Sequence, residues 1–309
     1  MRILVVANPQ ATGVTPRERD VLAHALASEG DLEVVETANR GHAAALACRA
    51  MRRGVEVVVA LGGDGTVSEV VNGMLTDGVH AGVPALGIVP AGSTNVFARA
   101  LGLPHDPVEA TGVLLDGLRA GRHRRVSLGR IEERYFVFAA GMGFDAAIVA
   151  GVERHRRRGR RSSHVLYSRV GIREFFALDR RHPHLSVEQS DGTCVTGVFF
   201  AVVANCDPWT FVGNRPLHPT PEASFETGLD VYARRRMSTG GVLFSMARMS
   251  GENPRIGRRG AHVGHDLDAV VLRSQVPLPV QVDGDFVGLR ETVRLAGVPG
   301  AIQVVGVSS

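Results

Sequence analysis

The sequence has 309 residues, about two domains' worth, with 44% hydrophobic and 21% charged residues, which excludes a disordered or collagen-like chain. All 35 basic residues are arginine, so mechanisms built on a lysine are excluded, among them a Schiff base, a P-loop lysine and an ammonium general base. A formal net charge of +4 does not point to nucleic acid by itself, and a local cluster carries more weight than the total.

The first part of the chain alternates short apolar runs with helix-period segments, which predicts a parallel sheet covered by helices. Strands are expected at 3–7, 32–36, 55–61 and 85–89, and helices at 16–28, 42–53 and 66–75. In the last helix Val67, Val70, Val71, Met74 and Leu75 repeat at i, i+3, i+4, i+7 and i+8, which describes one buried face. An Arg-rich turn at 118–125 marks a boundary, giving an α/β domain over 1–125 and a second domain over 126–309. Beyond it come short β-rich runs at 126–131, 135–140, 195–204, 229–233, 269–272, 279–282 and 292–295, with helical patches near 163–178 and 241–249. Strands without regular helices between them predict a mainly antiparallel domain.

Gly62-Gly63-Asp64-Gly65-Thr66 stands between a strand and a helix. Glycine there lets backbone amides approach an anion, and the helix N-terminus adds unpaired N–H donors and a favourable dipole. Asp64 in such a loop would repel phosphate unless a cation bridges the two, so it is expected to hold Mg²⁺ carried by a nucleotide. The loop reads equally as a plain strand-to-helix turn with Thr66 as N-cap. Pro90-Ala91-Gly92-Ser93-Thr94-Asn95 leaves another strand ahead of a helix at 96–101, and Asn8-Pro9-Gln10-Ala11-Thr12-Gly13 leaves the first strand. All three loops fall at the carboxyl edge of one parallel sheet, where open α/β folds bind ligands. The GxxxxGK[ST] pattern of P-loop kinases is absent.

Together these residues resemble a known family. Gly62-Gly63-Asp64-Gly65-Thr66 with Glu69 and Asn72, then Gly92-Ser93-Thr94-Asn95-Val96-Phe97-Ala98-Arg99 and Leu101-Gly102-Leu103-Pro104, are similar to the diacylglycerol kinase catalytic domain of bacterial lipid kinases, eukaryotic diacylglycerol kinases and sphingosine kinases. The likeness continues at Asn8-Pro9, Thr37 with Gly41-His42-Ala43, Gly141-Met142-Gly143-Phe144-Asp145 and Val280-Gln281-Val282-Asp283-Gly284-Asp285. GGDGT is shared with NAD kinases and phosphofructokinases, whereas the GSTN stretch followed by LGLP is more specific. The resemblance implies an N-terminal three-layer parallel α/β domain, a C-terminal mainly antiparallel β-sandwich holding a lipid acceptor, and an ATP site in the cleft between them. It implies transfer of the γ-phosphoryl group of ATP, with Mg²⁺, to a lipid hydroxyl, with diacylglycerol to phosphatidic acid as the expected reaction.

Carried over to this chain, Asn8, Pro9, Gln10, Ala11, Thr12, Thr37, Gly62, Gly63, Asp64, Gly65, Thr66, Glu69, Gly92, Ser93, Thr94 and Asn95 bind nucleotide. In the family's closing Asp-Gly-Glu motif the last acid receives the proton of the acceptor hydroxyl, and here that position is Asp285. Aspartate is one methylene shorter, a difference of roughly 1 Å that matters where alignment sets the rate. Asp283-Gly284 also favours a tight hairpin turn between 279–282 and 286–289. Where relatives carry Asp-Gly at a structural Mg²⁺ site, this chain has Thr227-Gly228, with Asp230 beyond. Without lysine, an arginine such as Arg17, Arg19 or Arg99 is the expected phosphate partner.

The most basic stretch, Arg154-His155-Arg156-Arg157-Arg158-Gly159-Arg160-Arg161, reads as a solvated loop or as a contact to anionic lipid. Val165, Leu166, Tyr167, Val170, Phe175 and Phe176 beyond it are then its apolar partners, or core. The interleaved aromatics of a nucleic-acid site are missing. Cys48, Cys194 and Cys206 lack metal spacing and read as buried small hydrophobes in a reducing compartment. His42 reads as a satisfied polar residue at a helix start. With no apolar run near the roughly 18 residues of a membrane helix, the expectation is a cytoplasmic protein that touches the inner face of a membrane transiently. A homo-oligomer, a kinase of a soluble acceptor such as NAD, and a catalytically silent nucleotide- or lipid-binding homologue are the alternatives.

Overall fold

β1 (Arg2–Ala7), β2 (Asp31–Glu36), β3 (Val57–Gly62) and β4 (Ala85–Pro90) pair in parallel in the order β2-β1-β3-β4. The computed structural model describes residues 1–156, 164–213, 215–251, 254, 256 and 260–307, without the side chains of His164 and Val165. The chain divides into two compact units, Met1–Leu128 with Pro299–Ser309, and Gly129–Val298. In the first, β3 and β4 are buried at every position, as parallel strands covered on both faces must be. The C-terminal end of the chain adds a parallel contact, Val304 opposite Leu86. The connections are α1 (Pro16–Leu26), α2 (His42–Arg52), α3 (Asp64–Met74), α4 (Val96–Ala100) and α5 (Pro107–Ala120).

α1 opens on a capping box in which Thr15 and Glu18 exchange side-chain-to-backbone bonds. α3 buries Val67, Val70, Val71 and Met74, the face its spacing predicts, and starts two residues earlier than expected. α5 was not expected at all. Its ends are nonetheless specified: Asp106 accepts from the amides of Val108 and Glu109 at 2.9 and 3.0 Å, Pro107 sits at the start, and Gly121 closes it with φ 61°. The turn expected at 118–125 is therefore the end of this helix and the start of a strand.

That strand, β5 (His123–Ile131), leads into the second unit with β6 (Arg134–Phe136), β7 (Ala139–Gly143), β8 (Leu185–Gln189), β9 (Cys194–Val198), β10 (Phe200–Ala204), the hairpin β11 (Thr210–Val212) and β12 (Arg215–Leu217), β13 (Leu229–Arg234), β14 (Ala261–Leu267), β15 (Ala269–Val282) and β16 (Asp285–Val305). The path β14-β13-β10-β7-β15-β16 is antiparallel throughout, and β8 with β9 extends from residues 270–274 of β15. Three helices complete the unit: α6 (Phe144–Arg156), α7 (His164–Ala177) and α8 (Thr239–Met249). Its core joins Phe136, Met142, Leu185, Val203, Val231, Leu272, Val280 and Leu295. A mixed α/β unit with parallel strands followed by an antiparallel β-rich unit is the expected fold class.

Three details depart from expectation. The runs at 269–272 and 279–282 are one strand, β15, whose register against β16 shifts between Arg273 and Leu278. The run at 135–140 is two strands, because the Asp283 carboxylate takes the amides of Val137, Phe138 and Ala139 that a continuous ladder would use. Of the cysteines read as buried, Cys206 is buried, Cys48 is half-buried and Cys194 is exposed.

Candidate functional site

In the first unit the loops at the carboxyl edge of the sheet are bonded to one another. After β1, the Asn8 amide donates to the Leu61 carbonyl at 2.9 Å, and its side-chain amide donates to Thr66 Oγ1 at 3.3 Å. Asn8 Oδ1 accepts from the Gln10 amide at 2.9 Å, and the Gly13 amide donates to the Ala91 carbonyl at 2.9 Å. The loop after β4 joins the loop after β3 through the Ala91 amide and the Gly62 carbonyl, 2.8 Å apart. A Cβ on Gly92 would lie 2.6 Å from the Gly63 Cα, and one on Gly63 would lie 3.1 Å from the Gly92 Cα. Gly92 is therefore required by backbone-to-backbone approach, and Gly63 packs tightly against it.

Asn95, 2% exposed with φ 49°, closes the 92–95 loop by exchanging two bonds with the Gly92 backbone, at 3.0 and 2.9 Å. Pro9, Gln10, Thr12, Gly65 and Ser93 are exposed around this cluster, while Ala11 and Thr94 are half-buried. A Cβ on Gly65 would meet nothing within 4 Å. Packing does not require that glycine, and the space above it is open.

The acids of the cluster are engaged by backbone amides. Asp64 Oδ1 accepts from the Phe97 amide at 3.2 Å. Burial pushes its carboxyl above the usual carboxylate range, against the amides of Val96, Phe97 and Asn95 and the nearby Arg99 guanidinium. Asp64 thus ties the GGDGT loop to the start of α4. Glu69 accepts from the Gly41 amide at 2.8 Å and the Ala43 amide at 3.2 Å, anchoring the loop that follows β2. In that loop the Thr37 amide donates to the Ala7 carbonyl, and His42 Nδ1 accepts from the Ala38 amide at 3.0 Å. Of the expected arginines, Arg19 pairs with Glu36 at 2.6 Å, Arg17 is exposed, and Arg99 stands in the loop cluster.

In the second unit, Asp283 and Gly284, with φ 49° and 75°, form the tight turn between β15 and β16, a turn that needs positive φ at both positions. Asp283 is 6% exposed. Asp285 opens β16, and its Oδ2 accepts from Arg134 Nη2 at 3.2 Å. A buried bridge supports the turn: the Gly284 amide donates to Gln281 Oε1 at 2.9 Å, and Gln281 Nε2 donates to Asp145 Oδ2 at 3.1 Å. Burial pushes the Asp145 carboxyl up to about 6, partly offset by the bond from Gln281. The sequence places Asp145 in the Gly141 to Asp145 motif but does not mark its task. A buried carboxyl that costs stability beside a hairpin is a functional-site signal that only the structure supplies.

Because Asp145 is raised from 3.8 to about 6, its contribution to stability is full below about pH 4 and is lost as pH rises through about 6. Asp145→Asn is expected to remove this slope, and to be more stable than the parent at pH 7 by an amount on the order of 3 kcal/mol at most. Urea midpoints of both proteins between pH 4 and 8 measure the difference.

A cavity of about 310 Å³ lies in the same unit, lined by Ala147, Ala150, Pro279, Phe286 and Leu289, with Glu153, Arg154 and Glu174 also on its wall. Arg154 bonds Glu174 at 3.3 Å. The rest of the basic stretch, Arg157 to Arg161, lies outside the described residues.

The Thr227 region does not fit a structural cation. Thr227 Oγ1 donates to the Ser224 carbonyl at 3.2 Å, so a hydroxyl closes the loop. Asp230, fully buried, accepts from His265 Nδ1 at 2.8 Å and from the Asp266 amide at 3.1 Å. Among the described residues no group of three His, Cys, Asp or Glu side chains could hold a metal, and no helix is long and apolar enough to cross a membrane.

A parallel α/β unit whose strand-end loops gather glycine, hydroxyl and amide groups at one edge belongs to the class that binds phosphorylated ligands there. Residues 2–131, less than half of the chain, match the model of the diacylglycerol kinase catalytic domain. A YegS-like lipid kinase from Chromohalobacter salexigens is 39% identical over 133 residues, 43% of this chain and 41% of that protein. A diacylglycerol kinase from Staphylococcus haemolyticus is 39% identical over 107 residues, 35% of this chain and 30% of that protein. The chain thus matches well under half the length of these relatives. A crystal structure of a diacylglycerol kinase from Bacillus anthracis shares the fold across both units, with a TM-score of 0.74 at 18% identity, covering 98% of this chain and 96% of that one.

Proposed function

We propose that the chain is an ATP-dependent lipid kinase, with diacylglycerol as acceptor and phosphatidic acid as product. The observation that carries this reading is the bonded set of strand-end loops, open above Gly65, within the stretch that matches the kinase family. Backbone amides at Gly63 and Gly65, the Ser93 and Thr94 hydroxyls and the Asn8–Thr12 loop would hold the nucleotide phosphates, with Thr37 beside them. Mg²⁺ entering with the nucleotide supplies charge neutralisation when bound, and no side chain of this chain is assigned to it. In the transfer, the acceptor hydroxyl oxygen bonds to the γ-phosphorus as the bond to ADP breaks, and the hydroxyl proton passes to Asp285. Arg134 orients that carboxylate, and the Gln281–Asp145 bridge holds its turn. The 310 Å³ cavity is the size of a small ligand site and takes part of the acceptor's hydrocarbon.

Incubation with labelled ATP, Mg²⁺ and mixed micelles of diacylglycerol, monoacylglycerol, ceramide or sphingosine tests the reading. Labelled phosphatidic acid is the expected product, and no labelled lipid from any acceptor, or NADP formed from NAD instead, would sink it. Gly65→Leu separates the phosphate site from the fold. Its side chain enters open space and gains up to about 1 kcal/mol of helix propensity, so thermal stability should hold or rise. ATP affinity measured by calorimetry should fall at least about tenfold, since the introduced isobutyl group would stand where the phosphate approaches.

A further inference from the structure

Helix α7 leaves Ile172 60% and Phe176 69% exposed, one turn apart on one face. Arg169 and Arg173 are exposed beside them at the same spacing. On α8, Leu243, Phe244 and Met246 are 63%, 61% and 43% exposed. The two helices flank one small core, in which Phe175 of α7 packs with Phe199 and Met237 while Val242 of α8 lies against the same cluster. Of the residues read from sequence as lipid contacts or core, Val170 and Phe175 are core while Phe176 is exposed, and the rest of the exposed apolar surface comes from Ile172 and from α8.

Apart from Asp179, which pairs with His182 at 2.7 Å, the charged residues flanking this surface are basic. Residues 234–250 contain four arginines and no acid; Arg235 and Arg236 are exposed, and Arg248 lies over the Phe244 ring at 5.4 Å. Arg180 lies over Phe175 at 5.1 Å and is exposed, as is Arg181. Glu174, the one acid on α7, faces the 310 Å³ cavity and bonds Arg154. Clustered exposed aromatic and aliphatic side chains in such a rim mark an interaction surface. Cationic rims favour an anionic partner, and arginine stems cover apolar surface while their heads reach phosphate.

We propose that the exposed faces of α7 and α8 form the surface by which this chain docks on an anionic lipid bilayer, inserting Ile172, Phe176, Leu243 and Phe244 below phosphates held by the flanking arginines. The proposal deepens the lipid kinase reading, because it sets the substrate-bearing membrane against the helix that lines the cavity. It does not depend on turnover for its test.

Co-sedimentation with vesicles of phosphatidylcholine, with and without phosphatidylglycerol, reads docking directly. The parent is expected to bind only the anionic vesicles, and less as salt rises. Ile172→Ser with Phe176→Ser, and Leu243→Ser with Phe244→Ser, should each weaken binding by at least about tenfold. Arg169→Gln with Arg173→Gln should weaken it roughly thirtyfold, at about 1 kcal/mol per arginine. In the folded Phe244→Trp protein, a blue-shifted emission increment on anionic vesicles reports insertion even if a serine pair fails to fold. Unchanged binding by the apolar pairs, equal binding to neutral vesicles, or no tryptophan shift overturns the proposal. So does a parent that is dimeric in sedimentation, becomes monomeric in the serine variants and ignores vesicles. Turnover in neutral detergent micelles should be the same in parent and variants; its absence in the parent would strike the kinase reading and leave the vesicle result to stand alone.

Discussion

Asp285→Asn is expected to lower kcat for phosphoryl transfer by about 10³-fold while leaving the fold and ATP affinity unchanged, the middle of the range for loss of a general base. The substitution keeps the size of the side chain and its bond to Arg134, now through a neutral oxygen, and removes the carboxylate to which the proposed transfer passes the hydroxyl proton. Asp285 is held in place within its own unit. It follows a two-residue turn whose backbone is fixed by positive φ at Asp283 and Gly284, and Arg134 holds Oδ2 at 3.2 Å. Arg134→Gln should cost much less, about tenfold, because it loosens the carboxylate without removing it. Asp285→Glu should retain turnover, since the longer acid has the same chemistry and the turn sets its origin. These are single-turnover and steady-state measurements with micellar diacylglycerol. Full kcat in Asp285→Asn would show that the proton goes elsewhere.

What the sequence made legible depended on whether the information was local. β3 and β4 could be read because each is a run of apolar residues with no polar interruption, and α3 because one face repeats at helical spacing. The loop residues Gly62 to Thr66 and Gly92 to Asn95 could be read because a turn and an anion site both demand glycine and hydroxyls between strand and helix. The tasks of Asp64, Glu69 and Asp283 could not be read, since each carboxylate is satisfied by amides distant in the chain: Phe97 for Asp64, Gly41 and Ala43 for Glu69, Val137 to Ala139 for Asp283. An acid in a glycine-rich loop suggests a metal when only its neighbours are visible, and its amide partners show that it also connects loops. α5 was missed for the opposite reason. Its signals, Asp106-Pro107 and Gly121, are local but sit at its ends, where a single cap residue is easily read as part of a loop.

The same point explains how loops far apart in sequence come to form one surface. Asn8 reaches Thr66, Gly13 reaches Ala91, Gly63 abuts Gly92, Glu69 caps the α2 loop, and Asp64 caps α4. Each bond alone contributes little net stability, about 1 kcal/mol. Their collective effect is to fix loop positions before a ligand arrives, so that less ordering remains to oppose binding.

Asp283→Ala is expected to destabilise the protein by an amount on the order of 5 kcal/mol, the largest loss of stability among the substitutions considered. The carboxylate accepts from Val137 at 3.1 and 3.0 Å, from Phe138 at 3.1 Å and from Ala139 at 3.4 Å. Alanine would leave three amides in a buried region without that acceptor, at roughly 1 to 3 kcal/mol each. It would also place a Cβ-bearing residue with no local side-chain bond at φ 49°, adding about 1 to 2 kcal/mol. A domain is stable by about 5 to 15 kcal/mol in all, so the variant should unfold at far lower urea or lose its structure outright. Asp283→Asn tolerates the same φ and keeps one carbonyl acceptor, so its cost should be closer to about 2 kcal/mol, and the two variants together distinguish the acceptor from the backbone. If Asp283→Ala loses less than about 1 kcal/mol, the break between β6 and β7 is not held by this carboxylate. In that case the turn carrying Asp285 owes its position to the Gln281–Asp145 bridge instead, and Gln281→Ala should then show the larger loss.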